Sequence, residues 1–272
     1  MILARDTARP EADSPVFILA SGGRCGSTLL QRFLCSHPNV IIWGEPGGLP
    51  DNLRVALDAF NNRRGENELG RFLDQGADSW IAYMRPDAAT VESAAQRFLR
   101  ELFETPAQAL GRPIWGFKDV ASDMTTALYL QSMFPAARFI HLTRSLRACV
   151  ASQLSWVAAG VWTRKQLLLS IQTWMRVNQS FLSTRALGLH NLARLRYEDL
   201  VSNPTIATAE ICDFLDLEAT RCDLGVFDHY VRGPDDGRYP MPRPLDAADE
   251  ALLQLEEIDE IHARLGYELA LV

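Results

Sequence analysis

The chain has 272 residues, 47% of them hydrophobic and 22% charged, with a formal net charge of −7. That composition belongs to a globular protein with a substantial core, and it excludes a general nucleic-acid binder, which needs a basic surface. No stretch approaches the ~18 apolar residues of a membrane span and residues 1–13 hold too short an apolar run for a signal peptide, so no membrane span and a cytoplasmic location are expected.

The first segment rich in β-formers, 16–20, runs into Ser21-Gly-Gly-Arg-Cys-Gly-Ser-Thr28 and then into an apolar helical pattern over 28–35. A strand, a glycine-rich turn and a helix N-terminus in that order make an anion site. The N–H groups of the turn and the unpaired amides of the first helical turn converge, and the helix dipole adds positive potential. Phosphate or a close relative is the expected guest. Measured against Gly-x-x-x-x-Gly-Lys-Ser/Thr, Gly26 and Thr28 match, but Ser21 stands at the first glycine and Ser27 at the lysine. The cation has moved into the loop as Arg24. Without that lysine, and with no obvious strand ending in a metal-holding Asp, magnesium-nucleotide hydrolysis loses ground.

Residues 46–110 hold short helical pieces, including one over 91–103, and are too long for an ordinary crossover. They form a candidate acceptor-binding cap. A second β-rich segment at 114–117 ends in Lys118, on the edge where open α/β sheets bind ligands, and a buried-strand lysine without a task is uncommon. A helix is expected over 123–133. The next segment, 138–142, delivers Arg144 at its C-terminal end, and Ser145 begins a helix. If the strand turns directly into that helix, Ser152, eight residues after Arg144, presents its hydroxyl toward the same edge. A guanidinium fork with a hydroxyl suits a phosphate monoester.

A long helix should run from Thr163, its N-cap, to about Ala186, followed by a strand at 191–196 and a helix with Pro204 at N1. Residues 229–245, with Gly233, Gly237 and four prolines, make the one long aperiodic loop. The last helix is expected over 247–265, with the acids from Asp246 to Glu260 on a solvated face. Five cysteines, Cys25, Cys35, Cys149, Cys212 and Cys222, lack Cys-x-x-Cys spacing and read as small buried hydrophobes in a reducing compartment. Strands alternating with helices imply α/β architecture: a single domain over 1–272, with a central parallel sheet flanked by helices.

Taken together, the loop Arg24-Cys-Gly-Ser-Thr28 and the Arg144/Ser152 pair resemble the PAPS-dependent sulfotransferase family, whose donor is 3′-phosphoadenosine 5′-phosphosulfate. Leu195-Arg-Tyr-Glu-Asp-Leu-Val-Ser-Asn-Pro204 and the closing Leu265-Gly-Tyr267 add to the likeness. The loop is most similar to that of bacterial carbohydrate and tyrosylprotein sulfotransferases. The resemblance implies a P-loop-like core and transfer of a sulfuryl group to a hydroxyl of a small or medium acceptor, without a metal. It implies that Cys25, Gly26, Ser27 and Thr28 cradle the 5′-phosphate and that Arg24 neutralises charge on the bridging oxygen. Lys118 would stabilise the transferring group, Arg144 and Ser152 hold the 3′-phosphate, and Tyr197 touches the adenine.

The cytosolic branch of that family uses a histidine two residues after a lysine as its base, but here Lys118 is followed by Asp119 and Val120. Trp43-Gly-Glu45-Pro46 instead resembles the segment in which the other branch places a catalytic glutamate. A carboxylate in a partly closed pocket beside Trp43 can have its pKa raised toward that of a useful base. Asp119 is the rival. Arg232-Gly233 resembles a late Arg-Lys-Gly segment that closes over the 3′-phosphate, without its lysine, and Arg238 is the alternative. His37 is read as ending the first helix, His141 as a core residue, and Trp156, Trp162 and Trp174 mainly as core, Trp162 also as a possible wall of the acceptor pocket. An ATP-dependent small-molecule kinase and a non-catalytic nucleotide-binding protein are the competing readings. The acceptor and the oligomeric state stay open.

Overall fold

Residues 14–62, 67–78, 80–228 and 242–267 are described by the computed structural model. Strand β1 (Val16–Ala20) lies at the centre of a five-stranded sheet, buried on both faces because every residue in it is apolar. After it come α1 (Ser27–Ser36), β2 (Val40–Trp43), and four helices, α2 (Leu49–Asn61), α3 (Leu69–Gln75), α4 (Ala88–Leu99) and α5 (Thr105–Ala109). Then β3 (Ile114–Asp119), α6 (Met124–Met133), β4 (Arg138–Thr143), α7 (Leu146–Ala158), α8 (Arg164–Leu182) and β5 (Leu192–Arg196) complete the sheet. The chain continues through α9 (Tyr197–Ser202), α10 (Pro204–Phe214), α11 (Ala247–Ala251) and α12 (Glu256–Arg264).

The strand order is β2-β3-β1-β4-β5, and all pairings are parallel. Parallel pairing puts every strand's C-terminus on the same edge of the sheet, and helices must then cover both faces. Alternation along β1 divides the core accordingly. Val16, Ile18 and Ala20 pack with Leu30, Phe33 and Leu34 of α1 and with α7, α10 and α12. Phe17 and Leu19 face the other side, where Phe17 meets Phe117 at 4.6 Å and Phe139 at 5.6 Å between ring centroids. Helix α8 serves both clusters, Leu167, Ile171 and Trp174 in the first and Val177 and Phe181 in the second.

The four expected strands are present, and β2 is added beside β3, in register Val40↔Ile114. Thr163 caps α8 as a full capping box with Gln166. The expected 247–265 helix is two helices. Asp249 is fully buried, accepting from Arg164 (2.6 Å) and Arg243 (3.2 Å), while Ile258 and Ile261 are buried in the core. Asp249 and Ile258 are nine residues apart, which on one continuous helix is a rotation of about 180°. Both cannot face inward unless the chain breaks between them. The acidic run is therefore not one solvated face. Among the described residues no helix is long and apolar enough to cross a membrane.

Candidate active site

Each of the five strands delivers a candidate residue just at or past its C-terminus, so the strand order becomes the order of the site. Glu45 follows β2, Lys118 lies near the end of β3, the Arg24 loop follows β1, Arg144 follows β4 and Tyr197 follows β5. Candidates scattered over more than 150 residues of sequence thus share one edge.

The loop after β1 has the backbone form of an anion cradle. Positive φ recurs at alternate residues, Gly22 (91°), Arg24 (70°) and Gly26 (89°), and an alternation of handedness turns successive N–H groups toward a common point. Arg24 is a non-glycine residue held in the left-handed region, a cost of about 1–2 kcal/mol that the surrounding contacts must offset. No side chain caps α1 and no acid lies in its first turn, so the amides at Ser27 and Thr28 keep their pull on an anion. Cys25 is buried and its thiol is pushed well up by burial and by Cys149 3.6 Å away. It stays protonated and donates to the Ser21 carbonyl (3.0 Å), leaving its backbone to the cradle.

The second helix at this edge is closed in the opposite way. At the N-terminus of α7, Ser145 N–H donates to Glu198 Oε1 (3.1 Å) and Leu146 N–H to His262 Nε2 (3.0 Å), and Ser145 Oγ accepts from Ala148 N–H. Burial holds the His262 pKa below the ordinary histidine value, which suits an imidazole that accepts. Glu198 also accepts from Tyr267 (3.0 Å), the tyrosine of the closing Leu265-Gly-Tyr267. With those amides occupied, anion binding here falls to side chains. Strand β4 does turn directly into α7, and Ser152 sits two turns in, buried.

Arg144 and Ser152 both reach Arg24. Arg144 Nη1 donates to the Arg24 carbonyl (2.9 Å), and Arg24 Nε donates to Ser152 Oγ (3.1 Å). The Arg144 guanidinium lies over the Tyr197 ring at 4.2 Å, and its Nε is buried with no partner among the described residues. A fixed guanidinium with an unused donor is what an incoming phosphate requires. The Arg24 guanidinium itself lies over Trp156 at 4.8 Å, and Trp162 stands 6.4 Å from Trp156. Neither tryptophan is fully buried, unlike Trp174, which packs in the core and donates to the Arg144 carbonyl (2.9 Å).

At the other end of the edge, Lys118 Nζ donates to Glu45 Oε1 at 2.5 Å. The lysine side chain is 9% exposed and the glutamate 48%, so Glu45 stands at the rim of the partly closed pocket expected beside Trp43. The Trp43 indole explains this: it turns toward the helical side, donating to the Phe103 carbonyl (2.8 Å). Asp119, the rival base, is buried and occupied, its Oδ1 accepting from the amides of Ala121 (2.8 Å) and Ser122 (3.1 Å). It shapes the turn after β3. Arg232 and Arg238 lie outside the described residues.

His37 caps the end of α1, and His141 is a buried core residue stacked on Phe181 at 4.0 Å. Ser21 donates to Asn178 (2.7 Å) and lies 3.2 Å from His141 Nε2. Gln153 donates to the Gly23 carbonyl (2.9 Å) and to Ser170 Oγ (2.7 Å). Asn178 and Gln153 were not singled out by sequence reading. The available signal was a polar residue interrupting an apolar helical face, as Gln153 does between Val150 and Leu154.

Known proteins share the fold that carries this edge. The profile of the sulfotransferase family matches residues 15–221. Protein-tyrosine sulfotransferase A of Caenorhabditis elegans is 24% identical over 206 residues, covering 75% of this chain and 50% of that protein, so the chain spans about half its relative's length. Two solved structures share the fold. The sulfotransferase domain of the Synechococcus PCC 7002 olefin synthase has a TM-score of 0.55 at 20% identity, covering 97% of this chain and 98% of that one. The sulfotransferase from Alicyclobacillus acidocaldarius has a TM-score of 0.52 at 14% identity, covering 97% and 98%. A strand-loop-helix anion cradle at the centre of a parallel sheet, matched by the family profile over three-quarters of its length, places the chain in the sulfotransferase family.

Proposed function

We propose that the protein transfers a sulfuryl group from PAPS to a hydroxyl of a small or medium-sized acceptor, releasing PAP and a sulfate ester. The observation that carries this reading is the shared use of Arg24: the arginine of the first anion loop is bonded by both Arg144 and Ser152, which lie far along the chain. Two phosphate-suited centres that meet on one arginine fit a ligand with two separate anionic groups. A nucleotide with a single polyphosphate chain gives Arg144 and Ser152 nothing to hold.

On this reading the donor lies along the strand ends, its nucleotide over β4 and β5 and its sulfuryl group over β1 and β3, a span of about 14 Å at 4.8 Å per strand. The amides of the Arg24 loop hold the 5′-phosphate, Arg144 and Ser152 the 3′-phosphate, and Tyr197 meets the adenine side. Glu45 takes the acceptor's proton as its oxygen attacks sulfur. The bond from sulfur to the bridging oxygen breaks, and its electrons go to PAP. Arg24 and Lys118 neutralise charge on the bridging and sulfuryl oxygens, the electrostatic role a magnesium ion fills in phosphoryl transfer. The helical region 46–110 follows β2 and Glu45, and its Trp80, Ile81 and Met84 are exposed, as an acceptor-binding region requires.

Thermal unfolding with PAP, with ADP and with ATP plus magnesium tests the donor. A ligand at a hundred times its Kd stabilises the native state by about 2.7 kcal/mol. A rise with PAP that EDTA does not remove supports the proposal. A rise only with ATP plus magnesium favours a kinase, and none with any of the three overturns the donor assignment.

A further inference from the structure

The donor loop is held from behind by one layer of hydrogen-bonding side chains. Ser170, Trp174 and Asn178 are four residues apart on α8, hence on one face, and each meets the loop or its supports. Ser170 meets Gln153, Trp174 holds the Arg144 carbonyl, and Asn178 holds Ser21. Gly22 lies directly against this face: a Cβ there would be 3.6 Å from the Ser170 carbonyl and 3.7 Å from Trp174 N.

Gln153 has the most direct hold. It is 1% exposed, and its amide nitrogen reaches past Ser170 to the Gly23 carbonyl, while its Oε1 has no partner among the described residues. Burying an unpaired amide oxygen is unfavourable, so what this side chain contributes to the site comes through its nitrogen. In a trans peptide the carbonyl and the following N–H point in opposite directions. A donor that fixes the Gly23 carbonyl toward the core therefore fixes the Arg24 N–H outward. Arg144 does the same one peptide later, holding the Arg24 carbonyl and so aiming the Cys25 N–H. Leu29 and Leu30 N–H hold the Gly26 carbonyl, which aims the Ser27 N–H. With the Gly23, Arg24 and Gly26 carbonyls so held, the amides that follow them are turned to the side opposite each holding group.

We infer that Gln153 is a positioning residue for the donor: by holding the Gly23 carbonyl it sets the Arg24 amide toward the 5′-phosphate group. The inference rests on the donor reading above and adds to it a side chain that touches no part of the donor. Its signature is selectivity for one end of the ligand. Losing the Gly23 contact frees that peptide to rotate and weakens the 5′ contact, while Arg144 and Ser152 still meet the 3′-phosphate.

The test is calorimetric binding of PAP and of adenosine 3′-phosphate, which lacks the 5′-phosphate, to the wild type and to Gln153→Met and Gln153→Asn. Methionine keeps the volume without a donor, and asparagine keeps an amide that is one methylene too short. Each variant should lose about tenfold in PAP affinity, one charge-assisted hydrogen bond's worth, and keep its affinity for adenosine 3′-phosphate. Equal losses for both ligands, or no loss for either, would make Gln153 a packing residue and overturn the inference alone. A wild type that gains nothing from the 5′-phosphate overturns the donor reading, and the inference with it.

Discussion

Gly26 and Tyr197 are in such close contact that a Cβ at the glycine would lie 2.2 Å from Cδ2 of the tyrosine ring. The same glycine has φ 89°, where an alanine is strained by about 1–2 kcal/mol even in open space. Gly26→Ala should therefore displace either the loop or the ring, and with it the Arg144 guanidinium stacked on that ring. Loss of PAP binding by at least about tenfold is expected. Pairing Gly26→Ala with Tyr197→Ala removes the clash and leaves the strain, so the double variant should lose less than the two single losses summed. Isothermal titration of both variants checks this; unchanged binding in Gly26→Ala would mean the loop has room to spare.

Glu45→Gln keeps the shape of the rim and removes the proton acceptor. Turnover should fall by about 10²–10⁴ while PAP affinity holds. Lys118→Met should lower turnover as well, and it leaves Glu45 without its partner. A Glu45→Gln enzyme with near-normal turnover would remove Glu45 from the chemistry without touching the family assignment.

Arg144→Lys keeps the charge but loses the planar fork that bonds the Arg24 carbonyl and stacks on Tyr197. Affinity for PAP should drop by about 2–3 kcal/mol. Affinity for adenosine 5′-phosphate, which has no 3′-phosphate, should fall by no more than about tenfold, the share lost with the hold on the Arg24 carbonyl. Equal changes for the two nucleotides would show that Arg144 acts on the loop alone.

The sequence showed the sheet's interior strands well because apolar β-formers in short runs, each followed by helical periodicity, leave few alternatives. It did not show β2. Four residues between Pro38 and Pro46 carry little local signal, and what makes them a strand is pairing with β3, distant in sequence. Arg24, Arg144 and Ser152 were legible through spacing. Gln153 and Asn178 were not, because a polar residue on a helix ordinarily faces water, and these two are buried where α7 and α8 meet the loop after β1. Asp249 was misread for the same reason, its acidic neighbours making the whole run look solvated.

His141 is fully buried, and burial first, then the charge of Arg194, pushes its pKa down to about 3. Its folded value lies below the unfolded value of about 6.5, so between these limits the unfolded chain binds the extra proton. Stability is then retained above pH 6.5 and declines as pH falls toward 3, by up to about 1.4 kcal/mol per pH unit from this group. His262, also lowered, adds to the decline. Chemical denaturation from pH 7 to pH 4 measures the slope, and an NMR titration in which the His141 ring changes above pH 5 would refute the assignment.

Asp249 opposes burial with charge. Burial alone would raise its carboxyl, but the hydrogen bond and charge of Arg164, with Arg243 behind, hold it below the usual carboxylate range. Asp249→Ala should lower stability by about 1.5–3 kcal/mol, the range for hydrogen bonds to a charged group. The two arginines are nearly half exposed and recover water, which keeps the loss near the lower end. Urea denaturation checks the value; an unchanged midpoint would mean the break before α12 does not depend on this acid.

Because β2 is an edge strand, Glu45 and the helical region behind it join the molecule along one flank, a seam made by β3 in the sheet and by α1 and α6 beside it. Everything proposed to grip the nucleotide lies on the far side of that seam, tied to α7 and α8. On the proposed reading, the acceptor side and the donor side can thus diverge separately. A different set of helices grafted between β2 and β3 would offer a new alcohol to an unaltered sulfuryl donor, and this fold should re-specialise by exchange of one contiguous stretch of chain.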